Sequence, residues 1–204
     1  RSMDIVESNM LLPFDNQNAY RIEQANIVQE KRDIKVCEYF ALINGRMLLI
    51  EAKSSSPRPE NKIKFDEFID EISQKFIDTL LLFNALSIGR HGEAERNNLP
   101  TNIQQIPLAN VQYAMYLIVH GNEIEWMEPI LAALKLKLKH CLKSWNIQDI
   151  NVYAINHETA KTKGLIKEYL PLDVLNAFKK RGLQNEELKN EVENWFKENS
   201  EYGK

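Results

Sequence analysis

The chain has 204 residues, enough for one domain with a sizeable buried core. At 44% hydrophobic and 27% charged residues it reads as globular, which excludes a disordered tail or a low-complexity scaffold. A formal net charge of −3 excludes a uniformly basic surface, so any contact with nucleic acid must rest on basic groups gathered locally.

Residues 4–19 are mixed, with a turn at Pro13-Phe14-Asp15-Asn16. Tyr20 to Asn26 reads as a short first strand. Ile34 to Ile43 is rich in β-branched and aromatic residues and reads as a strand. Asn44-Gly45 follows, a strong hairpin signal, and Arg46 to Lys53 is the returning strand. The run Ser54-Ser55-Ser56-Pro57-Arg58-Pro59 takes the chain out of the sheet. Phe65 to Leu86 carries Phe65, Phe68, Ile69, Ile72, Phe76, Leu80 and Phe83 at helical spacing. Gly89 to Pro107 reads as a surface loop. Val111 to His120 is nearly continuously apolar, which implies a strand covered on both faces.

Pro129 opens the next helix, with Leu131, Leu134, Leu138, Cys141, Leu142 and Trp145 on one side and Lys135, Lys139 and Lys143 on another. Ile150 to Ile155 reads as a further strand, and helices close the chain from about Leu172 and Glu186. The expected fold is α/β: a mixed sheet with an antiparallel hairpin core, flanked by helices. One domain is expected over 1–204, its core about residues 20–156 and its C-terminal helical part about 157–200.

The hairpin is where chemistry concentrates. With Asn44-Gly45 as a two-residue turn, Ile43 pairs with Arg46, and counting outward sets Glu38 opposite Glu51. Opposed residues share a sheet face. Glu51 and Lys53 are two apart, so Lys53 shares that face too. Val36, Phe40, Leu42, Met47 and Leu49 fall on the same face, and Cys37, Tyr39, Ala41, Ile43, Leu48, Ile50 and Ala52 on the other. Both faces are apolar and expect cover. Two opposed carboxylates in such a place repel, and a buried one without a partner costs several kcal/mol. A divalent cation held by Glu38 and Glu51, Mg²⁺ or Mn²⁺, would compensate. Lys53 would then stand ready to stabilise a phosphate. The alternatives are a structural cluster, in which Lys53 bridges both carboxylates, and a one-residue slip that sends Glu38 to the other face.

These residues resemble the PD-(D/E)XK nuclease superfamily, the restriction-endonuclease-like fold, whose hairpin carries an acid on one strand and (D/E)-x-K on the next. The match is Glu38 with Glu51-Ala52-Lys53. The wider string CEYFALINGRMLLIEAKSSSPRP is similar to bacterial members with an "EAKSS-x-P" core, some linked to defence against phage. The resemblance covers roughly residues 20–120. It implies a Mg²⁺- or Mn²⁺-dependent nuclease acting on nucleic acid, DNA more than RNA. Glu38, Glu51, Lys53 and Gln74 would then be catalytic, Glu38 and Glu51 holding the metal. It also implies a helix after the motif that lends a polar residue, from Gln74 or Lys75, and an upstream acid, for which Glu23 and then Glu7 are candidates. The family's usual Asp is here Glu38, one methylene longer. The second reading is an inactive nuclease-like fold used for binding or assembly.

Several outlying residues have competing readings. Lys31, Arg32 and Lys35 before the hairpin, and Arg58, Lys62 and Lys64 after it, either border a nucleic-acid groove or are ordinary surface cations. Ser54, Ser55 and Ser56 either bond a phosphate or form a hydrophilic turn. Lys135, Lys137, Lys139 and Lys143 either touch phosphates or, as is more common for such a stripe, form the solvated face of an amphipathic helix. His91, His120, His140 and His157 lack zinc-ligand spacing. No P-loop, GxGxxG or GxSxG occurs, so a motor would have to come from a partner. Trp195 and Phe196 either meet a protein partner or second copy, or pack on their own core. No run of about 18 apolar residues exists, so no membrane span is expected. The start shows no secretory pattern, and Arg1-Ser2 before Met3 reads as foreign to the natural chain. Cys37 and Cys141 read as reduced thiols, and a cytoplasmic protein is expected.

Overall fold

The computed structural model describes residues 3–31 and 33–202; Arg1, Ser2, Arg32, Gly203 and Lys204 lie outside the described residues. In chain order these form β1 (Ile5–Glu7), β2 (Met10–Leu12), β3 (Ala19–Tyr20), α1 (Asn26–Glu30), β4 (Tyr39–Ile43) and β5 (Arg46–Lys53). There follow α2 (Lys62–Ser87), α3 (Glu93–Asn97), α4 (Thr101–Gln104), β6 (Gln112–Val119), α5 (Met127–Ser144), β7 (Val152–Asn156) and α6 (His157–Thr162). The chain ends with β8 (Glu168–Tyr169), α7 (Leu172–Lys180) and α8 (Asn185–Asn199).

A five-stranded mixed sheet of order β3-β4-β5-β6-β7 forms the centre, antiparallel from β3 to β5 and parallel from β5 to β7. The class is therefore α/β, as the sequence suggests. Asn44 and Gly45 both take positive φ, at 50° and 75°, the turn whose twist matches a tight hairpin. That turn sets the register: Ile43 pairs with Arg46, Phe40 with Leu49 and Tyr39 with Ile50.

The alternation of β5 divides its side chains between two cores. Met47 and Leu49 meet α2 and α5, joined there by Phe76, Leu80, Phe83, Leu134 and Leu138. Leu48, Ile50 and Ala52 meet the opposite core with Met10, Leu12, Phe14 and Leu165. β6 is covered on both sides, which is why its sequence is apolar at nearly every position. A third cluster seats α7 and α8 against Leu11, with Phe196 fully buried and Trp195 packed against it, so these aromatics serve the chain's own core.

Four sequence expectations need correction. The first strand is only Ala19–Tyr20, because Ile22 turns into the core on a short 3-10 turn over Ile22–Gln24. β4 begins at Tyr39 rather than Ile34: the Cys37 N–H donates to Thr79 Oγ1 of α2 (2.8 Å), which pulls the preceding segment off the sheet. Cys37 accordingly sits in the α2-side core, not on the Tyr39 face. The stretch after α2 holds α3 and α4 rather than plain loop. Residues 4–12 form a hairpin with no counterpart in the sequence reading; β1-β2-β8 make a second, three-stranded antiparallel sheet.

Candidate active site

Pairing between β4 and β5 ends at Tyr39 and Ile50, whereas β5 runs on beside β6 through Glu51, Ala52 and Lys53. The last three residues of β5 thus have a neighbour on one side only. Backbone groups of successive strand residues point to opposite sides. The Lys53 carbonyl accepts from the His120 N–H on the β6 side (2.8 Å), so the Ala52 carbonyl faces the side β4 has left. Ser8 Oγ donates to it from the β1–β2 turn (3.0 Å). Ser8 and Asn9 both take positive φ in that turn, which brings Glu7 and Ser8 over the open edge of β5.

Glu51 and Lys53 have the parity of Leu49 and face α2. Glu51 is completely buried. Its Oε1 accepts from Lys75 Nζ of α2 at 2.6 Å and lies 3.3 Å from Lys53 Nζ. Lys53 Nζ also meets Glu71 Oε1 of α2 at 2.8 Å. Glu51 Oε2 is buried and has no hydrogen-bond partner among the described residues. Burial raises the Glu51 carboxyl above its ordinary value, with Lys75 and then Lys53 pulling the other way. Burial also opposes the charge on Lys75, but Glu51 outweighs it and holds the amine above its usual range.

Glu38 sits at the bend before β4, largely buried and in no ion pair among the described residues. Burial, then the fields of Glu51, Glu7 and Glu23, push its carboxyl from 4.5 to about 8. Glu38 thus feels the fields of three other acids, opposed by that of Lys75. Glu7 acts more strongly on Glu38 than Glu23 does, and Glu23 pairs with Arg21.

The other sequence candidates disperse. Gln74 is exposed and donates to Asp78 (2.6 Å), whose second oxygen accepts the Lys35 N–H (3.0 Å). The helix therefore offers Lys75 to Glu51, and Gln74 does not reach it. Ser54 is exposed just past the site. Arg58 lies over the Trp126 ring, 2.9 Å from its centroid, where the segments after β5 and β6 meet. Lys135, Lys139 and Lys143 line a shallow depression of about 600 Å³ on α5, and Lys137 pairs with Asp70. Sequence reasoning missed Glu71 and Ser8. Glu71 was within reach, since it precedes Lys75 by one helical turn and so shares its face.

Does this donor set suit a divalent cation? Among the described residues no three of His, Cys, Asp and Glu converge as a ready-made cage. An unpartnered buried carboxylate oxygen on Glu51 and an unpaired acid at Glu38 are nonetheless a hard, oxygen-only pair, which suits Mg²⁺ or Mn²⁺ retaining several waters. Compared with protein-family models, with curated proteins and with solved structures, the chain matches none. No helix among the described residues is long and apolar enough to cross a membrane.

Proposed function

We propose that the chain is a divalent-metal-dependent nuclease of the PD-(D/E)XK kind, hydrolysing phosphodiester bonds of nucleic acid, DNA before RNA. The observation that carries the reading is Glu51: wholly buried, tied through one oxygen to two lysines, with its other oxygen unpartnered among the described residues. A purely structural cluster is expected to have Lys53 bridging Glu38 and Glu51; instead Lys53 bridges Glu51 and Glu71, and Glu38 makes no ion pair among the described residues.

Glu38 and Glu51 would hold the cation. When bound, Mg²⁺ or Mn²⁺ would lower the pKa of a water and polarise a phosphoryl oxygen. Lys75, by its bond to Glu51 Oε1, favours the ionised carboxylate and leaves Oε2 free. Lys53, about a quarter exposed and held between Glu51 and Glu71, would supply its charge to a scissile phosphate as negative charge collects there. Lys35, Ser54 and Arg58 would line the approach of the backbone. Reduced Cys37 and Cys141 suit a cytoplasmic setting, and a role in defence, with a protein partner or a second copy, fits the wider resemblance.

The test is cleavage of single- and double-stranded DNA and RNA with Mg²⁺ or Mn²⁺ against EDTA, comparing wild type with Lys53→Ala. Metal-dependent cleavage that vanishes in a folded variant is the expected result. A well-folded wild type that cuts none of these substrates would sink the nuclease reading in favour of a binding or assembly module.

A further inference from the structure

We infer that Glu71 is an internal competitor for the substrate's phosphate: it holds Lys53 in the free protein and must release it when nucleic acid arrives. The inference rests on the nuclease reading above and adds to it what regulates access to Lys53.

The geometry begins with the division of partners. Glu51 Oε1 already takes Lys75 at 2.6 Å, and Lys53 reaches the same oxygen only at 3.3 Å. The shorter bond of Lys53, 2.8 Å, goes to Glu71. Side-chain exposure rises along this chain of charges, from 0% at Glu51 through 24% at Lys53 to 42% at Glu71. Glu71 is therefore the more accessible of the two acids that hold Lys53. A carboxylate and a phosphodiester each carry one negative charge and seek the same N–H donors. An ammonium has three N–H donors, so the contest is for charge: a retained Glu71 offsets the charge of Lys53 and would repel a phosphate brought beside it.

Release is cheap for the rest of the cluster. Glu51 keeps its Lys75 bond, so the buried carboxylate is never left bare. Glu71, more than a third exposed, is rehydrated when it lets go, which offsets part of the cost of breaking this half-buried pair. On α2 Glu71 stands one turn before Lys75 and can turn toward solvent without disturbing Ile72 or Phe76, which carry the packing. Glu71 is thus a positioning residue acting through Lys53. It keeps the amine from collapsing onto Glu51 and sets how strong an anion must be to take it.

The experiment measures two quantities on the full chain. A fluorescent oligonucleotide is titrated in EDTA and again with Ca²⁺, and the rate of amine labelling at Lys53 is followed by mass spectrometry. Glu71→Gln is expected to bind about three- to fivefold tighter than wild type, with Lys53 labelled faster and protected by the oligonucleotide. Glu71→Asp, which keeps the charge, is expected to return both readouts toward wild type. Wild type that binds and protects Lys53, beside a Glu71→Gln that binds no tighter, overturns the competitor role alone. A Glu71→Gln that binds more weakly would mean that Glu71 merely orients Lys53, and also overturns it. If the oligonucleotide binds neither protein and protects Lys53 in neither, the nucleic-acid reading falls and the competitor role with it.

Discussion

Two buried polar clusters stand one strand apart at the C-terminal ends of the parallel strands. The cluster at Glu51 is built of charges and is incomplete: an unpaired carboxylate oxygen, an unpaired acid at Glu38, and a lysine shared between two acids. The cluster at the ends of β6 and β7 is neutral and nearly complete. His120 Nε2 donates to the Leu170 carbonyl (2.7 Å), and the Gly121 N–H donates to His157 Nδ1 (3.1 Å). Asn122 donates to Ser56 (2.6 Å), and Asn156 donates to the Asn122 carbonyl (3.2 Å). Burial holds His120 at about 4, so it stays uncharged near neutrality, and burial lowers His157 as well. Only His120 Nδ1 goes unpaired there, and a neutral ring nitrogen costs far less to leave dry than a carboxylate oxygen. A cluster that satisfies itself ties segments together. One that stays incomplete is suited to receive something.

The contrast is broken most sharply at the level of rate. Lys53→Ala is expected to lower metal-dependent cleavage about 10²- to 10³-fold, the scale of losing one preorganised charge at a reacting phosphate. His157→Ala, in the neutral cluster, is expected to leave the turnover of its folded fraction near wild type. Equal losses in both, measured on protein shown to be folded, would erase the distinction between the clusters.

Next in size is the effect of stripping Glu51 of its nearer lysine. Lys75→Met leaves a wholly buried carboxylate with only the 3.3 Å contact to Lys53. Urea unfolding is expected to show a loss of about 3 kcal/mol at neutral pH, toward the low end for breaking a buried pair because Lys53 remains. A loss under half a kcal/mol would show that Glu51 is accommodated without Lys75.

How much of this could be read from the sequence depends on how far each signal reaches. Asn44-Gly45 imposes one turn type and the turn imposes the register from Ile43–Arg46 back to Tyr39–Ile50, one residue short of the expected Glu38–Glu51 pair. Parity then sorts Met47, Leu49, Glu51 and Lys53 onto the α2 face. The bend at Glu38 was not legible, because it depends on a bond from Cys37 to Thr79, 42 residues away. Nor was the β1–β2 hairpin: strands of three residues carry too little alternation to read, and their partner β8 lies at residues 168–169. Gln74 and Lys75 differ by one helical step. Choosing between them needed the stripe of Ile72, Phe76 and Thr79, which turns Lys75 inward and leaves Gln74 with Asp78.

Glu38 supplies a pH-dependent effect of intermediate size. Its carboxyl lies at about 8 in the folded protein against 4.5 ordinarily. Between those values the folded state holds the proton more tightly than the unfolded chain does. Stability from this group is therefore full below about 4.5 and is lost as pH rises through 8. In EDTA, wild type is expected to lose about 2 kcal/mol relative to Glu38→Gln between pH 5 and 9, discounting the full shift for partial exposure. Added Mg²⁺ is expected to flatten that slope, since a cation replaces the proton as the partner of the carboxylate. A slope indifferent to Mg²⁺ and Mn²⁺ would argue against a cation at Glu38.

The smallest effect belongs to the neutral cluster. The Asn156 side chain makes two bonds: its Oδ1 accepts the Thr159 N–H at the start of α6 (3.0 Å), and its Nδ2 donates to the Asn122 carbonyl (3.2 Å). Asn156→Ala removes a helix cap and leaves a buried carbonyl short of a donor, together worth about 1–2 kcal/mol. Because none of these groups is charged, the loss is expected to be the same at pH 5 and pH 9 and the same with or without Mg²⁺. Asn156→Asp should keep the cap but surrender the donor, and bury a negative charge beside the Asn122 carbonyl. It is therefore expected to be the worse of the two at pH 9 and to recover on acidification, when a protonated Asp again supplies a donor. Thermal melts of both variants across that range separate a cluster held by neutral hydrogen bonds from one that senses charge. A Mg²⁺-dependent melt in Asn156→Ala would place the two clusters in one functional unit and undo the comparison.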